Sequence, residues 1–153
     1  MADSYTQLHI QFVFAVKFRE ALIRPEWELE LYRYLTGIVR NYDHQVLAVN
    51  GMPDHVHLFI GWRPDQSISS LMKEVKGSSS AWINQNKLTP HNFRWQEGYG
   101  AFSYSKNHVP RLIAYVQNQK EHHKKKRFLD EYRHLLIEQG ISFNEKYIFQ
   151  EPM

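Results

Sequence analysis

Gly51-Met52-Pro53-Asp54-His55-Val56-His57-Leu58-Phe59-Ile60 is the stretch that decides the reading of this chain. Pro-Asp is a turn dipeptide, and the β-branched and aromatic run behind it has the composition of a strand. Successive strand side chains point to opposite faces. His55, His57 and Phe59 therefore share one face, while Val56, Leu58 and Ile60 share the other and belong to a core. Residues two apart on a strand lie about 6.5–7 Å apart along the backbone. Two imidazoles at that spacing can converge on one metal ion, or they can be solvated polar surface. A third ligand, a reactive group and a substrate groove elsewhere in the chain would decide between the two.

Upstream, residues 5 to 16 alternate: Leu8, Ile10, Phe12, Phe14 and Val16 fall on one face, and His9, Gln11, Val13 and Ala15 on the other. This is a first strand with one strongly buried face. Lys17-Phe18-Arg19 at its exit reads either as a solvated strand end or as a phosphate contact. Pro25 suits the first position of a helix, and Trp27, Leu31, Tyr34, Leu35, Ile38 and Tyr42 recur at spacings of three and four. A second strand spans about 45–52 and hands over to the histidine strand through the Pro53-Asp54 turn.

Downstream, Ser67 can cap a helix whose apolar face runs from Ile68 to Ile83. Inside it, Lys76-Gly77-Ser78-Ser79-Ser80 is a poor helix interior. These small residues admit either a close-packed neighbour or a phosphodiester backbone, with Lys76, Ser79 and Ser80 as donors. Residues 93 to 105, rich in aromatics around Gly98 and Gly100, read as a strand, a tight turn and another strand. The order β-α-β-β-α-β is that of the ferredoxin-like split βαβ. The expected class is α+β, an antiparallel sheet with helices on one face, followed by C-terminal helices. One helix runs from Pro110 to about His122 and places Tyr115 and Gln119, four residues apart, on one face. The basic run Lys120 to Arg127, with Lys124 within it, reads first as a solvated face and second as a DNA contact. A last helix spans Phe128 to Gln139 and stops at Gly140; Phe143, Tyr147, Ile148 and Phe149 make an apolar tail.

The 153 residues suit one domain, 1–153, and 42% hydrophobic residues supply a core. The absence of cysteine excludes disulfides and thiolate metal sites and fits a reducing cytoplasm. No apolar run approaches the roughly 18–20 residues of a membrane span, so a cytoplasmic protein, on the nucleoid when bound to DNA, is expected. A formal charge of +3 is compatible with nucleic acid.

Two strand histidines and a helical Gln amide oxygen make a three-ligand site with open positions, able to act as a Lewis acid on a phosphoryl oxygen. A tyrosine one turn before that Gln sits beside the ion as a nucleophile. The combination reads as phosphodiester cleavage leaving a covalent phosphotyrosine. His122 is the alternative to Gln119, and His123 can also bind metal or phosphate. Tyr99 and Tyr104 are rival phenols but read as sheet residues. A histidine-triad hydrolase is disfavoured because Phe59 stands where a third alternating histidine would be.

Gly-Met-Pro-Asp-His55-Val-His57-Leu and Tyr115-Val-Gln-Asn-Gln119-Lys-Glu-His-His together resemble the single-tyrosine HUH transposases of bacterial insertion sequences and their REP-associated tyrosine transposase relatives. Lys17-Phe18-Arg19, Lys76-Gly77-Ser78-Ser79-Ser80 and Trp95 to Ser103 resemble further motifs of that family, in family order. The resemblance implies His55, His57 and Gln119 as ligands of Mg²⁺ or Mn²⁺. It implies Tyr115 as the nucleophile on single-stranded DNA, giving a 5′-phosphotyrosine and a free 3′-hydroxyl. It also implies recognition of hairpin ends, and a homodimer in which the tyrosine helix often completes the other subunit's site. The rivals are a non-catalytic single-stranded nucleic-acid-binding module of the same fold and a domesticated REP-processing nuclease.

Overall fold

A computed structural model describes residues 4–144; Tyr147, Ile148 and Phe149 of the expected tail lie outside the described residues. The elements are β1 (His9–Ala15), α1 (Pro25–Asn41), β2 (Gln45–Met52), β3 (His55–Gly61), α2 (Ile68–Gln85), β4 (Gly100–Tyr104), α3 (Val109–Gln117), α4 (Gln119–His122) and α5 (Phe128–Glu138), with single 3₁₀ turns at Lys17–Arg19 and Lys106–His108. The four strands form one antiparallel sheet in the order β2-β3-β1-β4, so the histidine strand is central. This is the α+β split βαβ arrangement.

The two sheet faces carry different helices. Phe12 and Phe14 of β1 and Val56, Leu58 and Ile60 of β3 pack under Trp27, Leu31 and Leu35 of α1 and Leu71, Met72 and Val75 of α2. On the reverse face, Val13, Ala15 and Phe102 meet Phe128, Leu129, Tyr132 and Leu135 of α5, and Phe59 and Ala48 meet Leu112 and Val116 of α3. The C-terminal helices thus cover the second face. That is why β1 and β3 are buried on both sides, where the sequence suggests one.

The β2–β3 hairpin is tightly specified. A Cβ at Gly51 would collide with the His55 carbonyl oxygen, so only glycine lets the two strands close this near the turn. The turn is held from outside by Val16 N–H to Asp54 O at 2.9 Å and Ile23 N–H to Pro53 O at 2.9 Å. A register shift between Val46 and Ala48 bulges Leu47 out of the ladder, which is how a run of consecutive apolar residues fits one strand.

Two sequence expectations change. Residues 93 to 99 are not a strand: only Trp95 bridges Val16. Side chains of α2 take up that backbone instead, Lys76 Nζ donating to Gln96 O at 2.6 Å and Gly98 O at 2.9 Å, and Asn84 bonding both polar groups of Phe93. The helix from Pro110 does not run unbroken to His122. It stops at Gln117 and resumes at Gln119 across Asn118, and Asn50 Nδ2 caps the end of α3 through Gln117 O at 2.9 Å.

Candidate active site

β3 turns His55 and His57 toward α3–α5, and both rings are fully buried. Each ring is aimed by a partner on its Nδ1. Asp54 Oδ1, from the turn itself, accepts from His55 Nδ1 at 2.7 Å. Gln11 Oε1, from neighbouring β1, accepts from His57 Nδ1 at 2.8 Å, while Gln11 Nε2 donates to the Tyr104 hydroxyl at 3.1 Å. With Nδ1 engaged in this way, the Nε2 atoms of both rings face inward. Phe128 stacks on His55 at 3.8 Å between ring centroids. Burial pushes the His55 pKa down to about 4, outweighing the opposing pull of Asp54, so the ring is neutral.

Facing these rings stand Tyr115 of α3, Gln119 of α4, His123 just beyond it and Glu131 of α5. The Tyr115 hydroxyl donates to Glu131 Oε2, and Gln119 Nε2 donates to the same oxygen at 3.2 Å. That leaves Gln119 Oε1 3.4 Å from His55 Nε2 and 3.0 Å from His123 Nε2. Glu131 Oε1 lies 3.2 Å from His57 Nε2, 3.1 Å from His123 Nε2 and 3.7 Å from His55 Nε2. His122 Nε2 is 3.1 Å from Glu131 Oε2 but without hydrogen-bond geometry. Burial would raise the Glu131 pKa, yet hydrogen bonds to His123 and His57 pull it well below the carboxylate range. Burial and the charge of Glu131 together hold the Tyr115 phenol well above its usual value, so it is protonated in the metal-free pocket.

The donor set fits a divalent ion. The inward Nε2 atoms of His55 and His57 face an ionised carboxylate oxygen and an amide oxygen at 3.4 Å and 3.2 Å, the carboxylate 3.2 Å from His57 and the amide 3.4 Å from His55. Each such contact needs either a ring proton or a cation between its two atoms, and an ion bound at this point replaces the ring protons. His55, His57, His123 and Glu131 offer ligand atoms all within 4.8 Å of one another.

Of the residues singled out in the sequence, Tyr115, His55, His57 and Gln119 do come together, within one chain. Nothing in the sequence marks Glu131 as a member of this site, and Gln11, which aims His57, shows there only as part of one strand face. The residues named for DNA are scattered. Lys17 and Arg19 lie half-buried on the turn beside Asp54; against the effect of burial, the hydrogen bond from His55 chiefly, and the Arg19 charge to a lesser degree, hold the Asp54 carboxyl below its usual range. Lys76, Ser79 and Ser80 sit on α2, across the sheet from the rings. Ser79 is fully buried, donating to Val75 O and accepting from Trp95 Nε1 at 2.9 Å, so its hydroxyl has no face for DNA. Of the Gly-Ser patch only Ser79 is packed inward, Gly77 facing open space, and the Lys76 ammonium is bound to the 93–98 loop. Ser80 Oγ donates to Gly77 O at 3.1 Å. Lys120 ties α4 to the hairpin through Gly51 O at 2.8 Å and Glu28 at 3.1 Å, and Lys124 is exposed beside Glu121.

A cleft of about 400 Å³ opens onto Tyr115, His122 and Glu131, and Arg111, Lys126, His108, His134 and Tyr104 also line it. Glu138 stands on the same wall, paired with His134 at 3.1 Å, while Arg111, Lys126 and the Tyr104 ring next to the phenol suit a nucleic-acid strand. Rivals to that phenol are committed elsewhere. Tyr104 is bound to Gln11, and Tyr99 packs against the α1–α2 core. Among the described residues no helix is long and apolar enough to cross a membrane.

Comparison with known proteins agrees. The ISDra2 transposase TnpA of Deinococcus radiodurans is 28% identical over 119 residues, covering 74% of this chain and 84% of that protein. A solved structure of a Deinococcus radiodurans R1 protein described as a transposase superposes with a TM-score of 0.61 at 25% identity, over 78% of this chain and 96% of that one. A REP-associated tyrosine transposase bound to a REP hairpin shares the fold, with a TM-score of 0.62 at 14% identity, over 96% of this chain and 89% of that one. The family model described as "Transposase IS200 like" matches residues 4–119, well over half of the sequence, and the chain belongs to that family of transposases.

Proposed function

We propose that this transposase cuts and rejoins single-stranded DNA through a covalent 5′-phosphotyrosine on Tyr115, beside a divalent cation, Mg²⁺ or Mn²⁺, held by His55 and His57 with Gln119 in reach. The observation that carries the reading is the meeting of the Tyr115 hydroxyl and the inward His55 and His57 Nε2 atoms around one carboxylate, Glu131. The ion supplies charge stabilisation to the phosphoryl oxygens.

The chain's own residues do the rest. The phenol oxygen attacks phosphorus in line, the P–O3′ bond breaks, and the leaving 3′-oxygen takes up a proton to become the free hydroxyl. The phenol proton already lies on a hydrogen bond to Glu131 Oε2. The phosphotyrosine conserves the energy of the broken ester, so a 3′-hydroxyl can later reverse the step. Arg111 and Lys126 neutralise the strand's phosphates, and Tyr104 offers a ring on the wall of the cleft. Lys17, Arg19, Ser80, Lys120 and Lys124 are left to positioning contacts with the DNA outside the cleft. Hairpin ends are the substrate, in line with the resemblance and with the REP hairpin held by the fold relative. A homodimer is the expected assembly. The tyrosine already reaches the histidines of its own chain, so the pair need not exchange helices to form a site.

The test is incubation of the protein with single-stranded hairpin DNA and Mn²⁺. A denaturation-resistant protein–DNA adduct is expected, lost in Tyr115→Phe and lost with chelator. An adduct that survives either change sinks the proposal.

A further inference from the structure

The ligands inferred from the resemblance leave two groups of the pocket unexplained. His123 and Glu131 both aim an atom at the point where His55 and His57 converge, and both lie beyond residues 4–119, the part that matches the family model. We propose that the ion here is held by three imidazoles and one carboxylate, His55, His57, His123 and Glu131, a set that takes a first-row transition ion, Mn²⁺ included, in preference to Mg²⁺. This rests on the reading of the pocket as a divalent-cation site beside Tyr115.

The geometry separates the two oxygens of Glu131. Oε2 is occupied, receiving the Tyr115 hydroxyl and the Gln119 amide. Oε1 faces the rings, at 3.2 Å, 3.1 Å and 3.7 Å from the Nε2 atoms of His57, His123 and His55. Ligands bonded at about 2.0–2.2 Å in tetrahedral or octahedral array stand roughly 3–3.6 Å from one another; the His57 and His123 contacts to Oε1 fall in that range, and the His55 contact lies just outside it. Glu131 is therefore a one-oxygen ligand whose other oxygen grips the nucleophile, a direct link between ion and phenol. It is also 2% exposed; an ionised carboxylate buried this deeply calls for a cation.

The donor chemistry sets the selectivity. Mg²⁺ demands oxygen ligands and keeps much of its water, whereas imidazole suits the later divalent ions. A neutral Gln amide in place of Glu131 would give a weak site open to Mg²⁺. The carboxylate raises affinity for any divalent ion, and the third imidazole shifts the balance away from Mg²⁺ toward transition ions. Gln119, bonded to Glu131 Oε2 through its amide nitrogen, holds that carboxylate in place.

The test needs no DNA. Metal-free protein is titrated by calorimetry with Mn²⁺ and with Mg²⁺, and pulsed EPR counts the nitrogens on bound Mn²⁺. Expected are an affinity for Mn²⁺ at least about tenfold above that for Mg²⁺, three coordinated imidazole nitrogens, and a Glu131→Gln variant at least about tenfold weaker for Mn²⁺. Equal affinities, a count of two nitrogens, or undiminished Mn²⁺ binding by Glu131→Gln would overturn the inference. The nitrogen count on the unaltered protein decides the matter if the variant does not fold. Failure here with the Tyr115 adduct still metal-dependent removes the four-ligand set and leaves the proposed function standing. An adduct formed equally well in chelator removes the proposed function itself.

Discussion

Glu131 shows how much one buried side chain can carry. It accepts from Tyr115 and Gln119 on one oxygen and faces three imidazoles with the other. Its desolvation is opposed by those neighbours, which keep it ionised. Gln11 matters in a quieter way, because it alone fixes the proton of His57 on Nδ1. Gln11→Leu keeps volume and apolar packing but frees the ring. Metal affinity is expected to fall about 10–100-fold, read by Mn²⁺ titration, with about 1–3 kcal/mol lost from stability through the stranded Tyr104 and His57 groups, read by urea unfolding. Affinity unchanged within twofold would show that His57 needs no such aim. Neither residue stood out in the sequence. Yet Glu131 left a trace: it falls three residues after Phe128 and four before Leu135, on the apolar stripe of α5 where a carboxylate has no reason to be unless it is paired.

At the scale of elements, the sequence was most informative where periodicity and turn chemistry agreed. The alternation of β1, the three-four spacing of α1, the Ser67 cap of α2 (Ser70 N–H to Ser67 Oγ at 3.1 Å) and the Pro53-Asp54 turn all appear as read. It was least informative where tertiary contacts replaced local rules. The aromatic 93–99 segment has strand composition, but α2 side chains consume its backbone groups before a neighbouring strand can. The run from Pro110 to His122 has a helical pattern throughout, yet Asn50 ends α3 at Gln117. Tyr115 and Gln119 still meet because the break is one residue wide. The β2–β3 hairpin is the element on which the site depends, and Gly51 is its tightest point. Gly51→Ala is expected to cost about 2–4 kcal/mol, read by thermal or urea melts, and to lower Mn²⁺ affinity by displacing His55. A variant as stable as the parent would mean that the strands can spread without penalty.

For the whole molecule, burial on both sheet faces places His55 and His57 inside the second core, at the inner end of the cleft that opens onto Tyr115. The histidine pocket and the α5 packing are one structure. The sequence could not show this, because an exposed strand face and one covered by distant helices have the same alternation. A consequence is acid sensitivity. The His55 pKa is lowered from 6.5 to about 4 by burial, so the unfolded chain binds that proton first as pH falls. Its contribution to stability is whole above about pH 6.5, declines as pH drops and is gone near pH 4, a loss of about 3 kcal/mol. Glu131, depressed below its normal carboxylate value of 4.5, adds a further loss in the same direction at lower pH. Urea unfolding of metal-free protein from pH 7 to pH 4 reads this, and a flat profile would contradict a buried neutral His55. Mn²⁺ is expected to shift the decline to lower pH, because the ion competes with the protons.

The bend at Asp54 returns with a second meaning. Its main-chain oxygen receives Val16 and so helps shape the reversal of the chain, while its side chain dictates on which nitrogen the adjoining imidazole carries hydrogen. Architecture and reactivity are thus written into a single monomer unit, and drift at that position cannot relax one without disturbing the other.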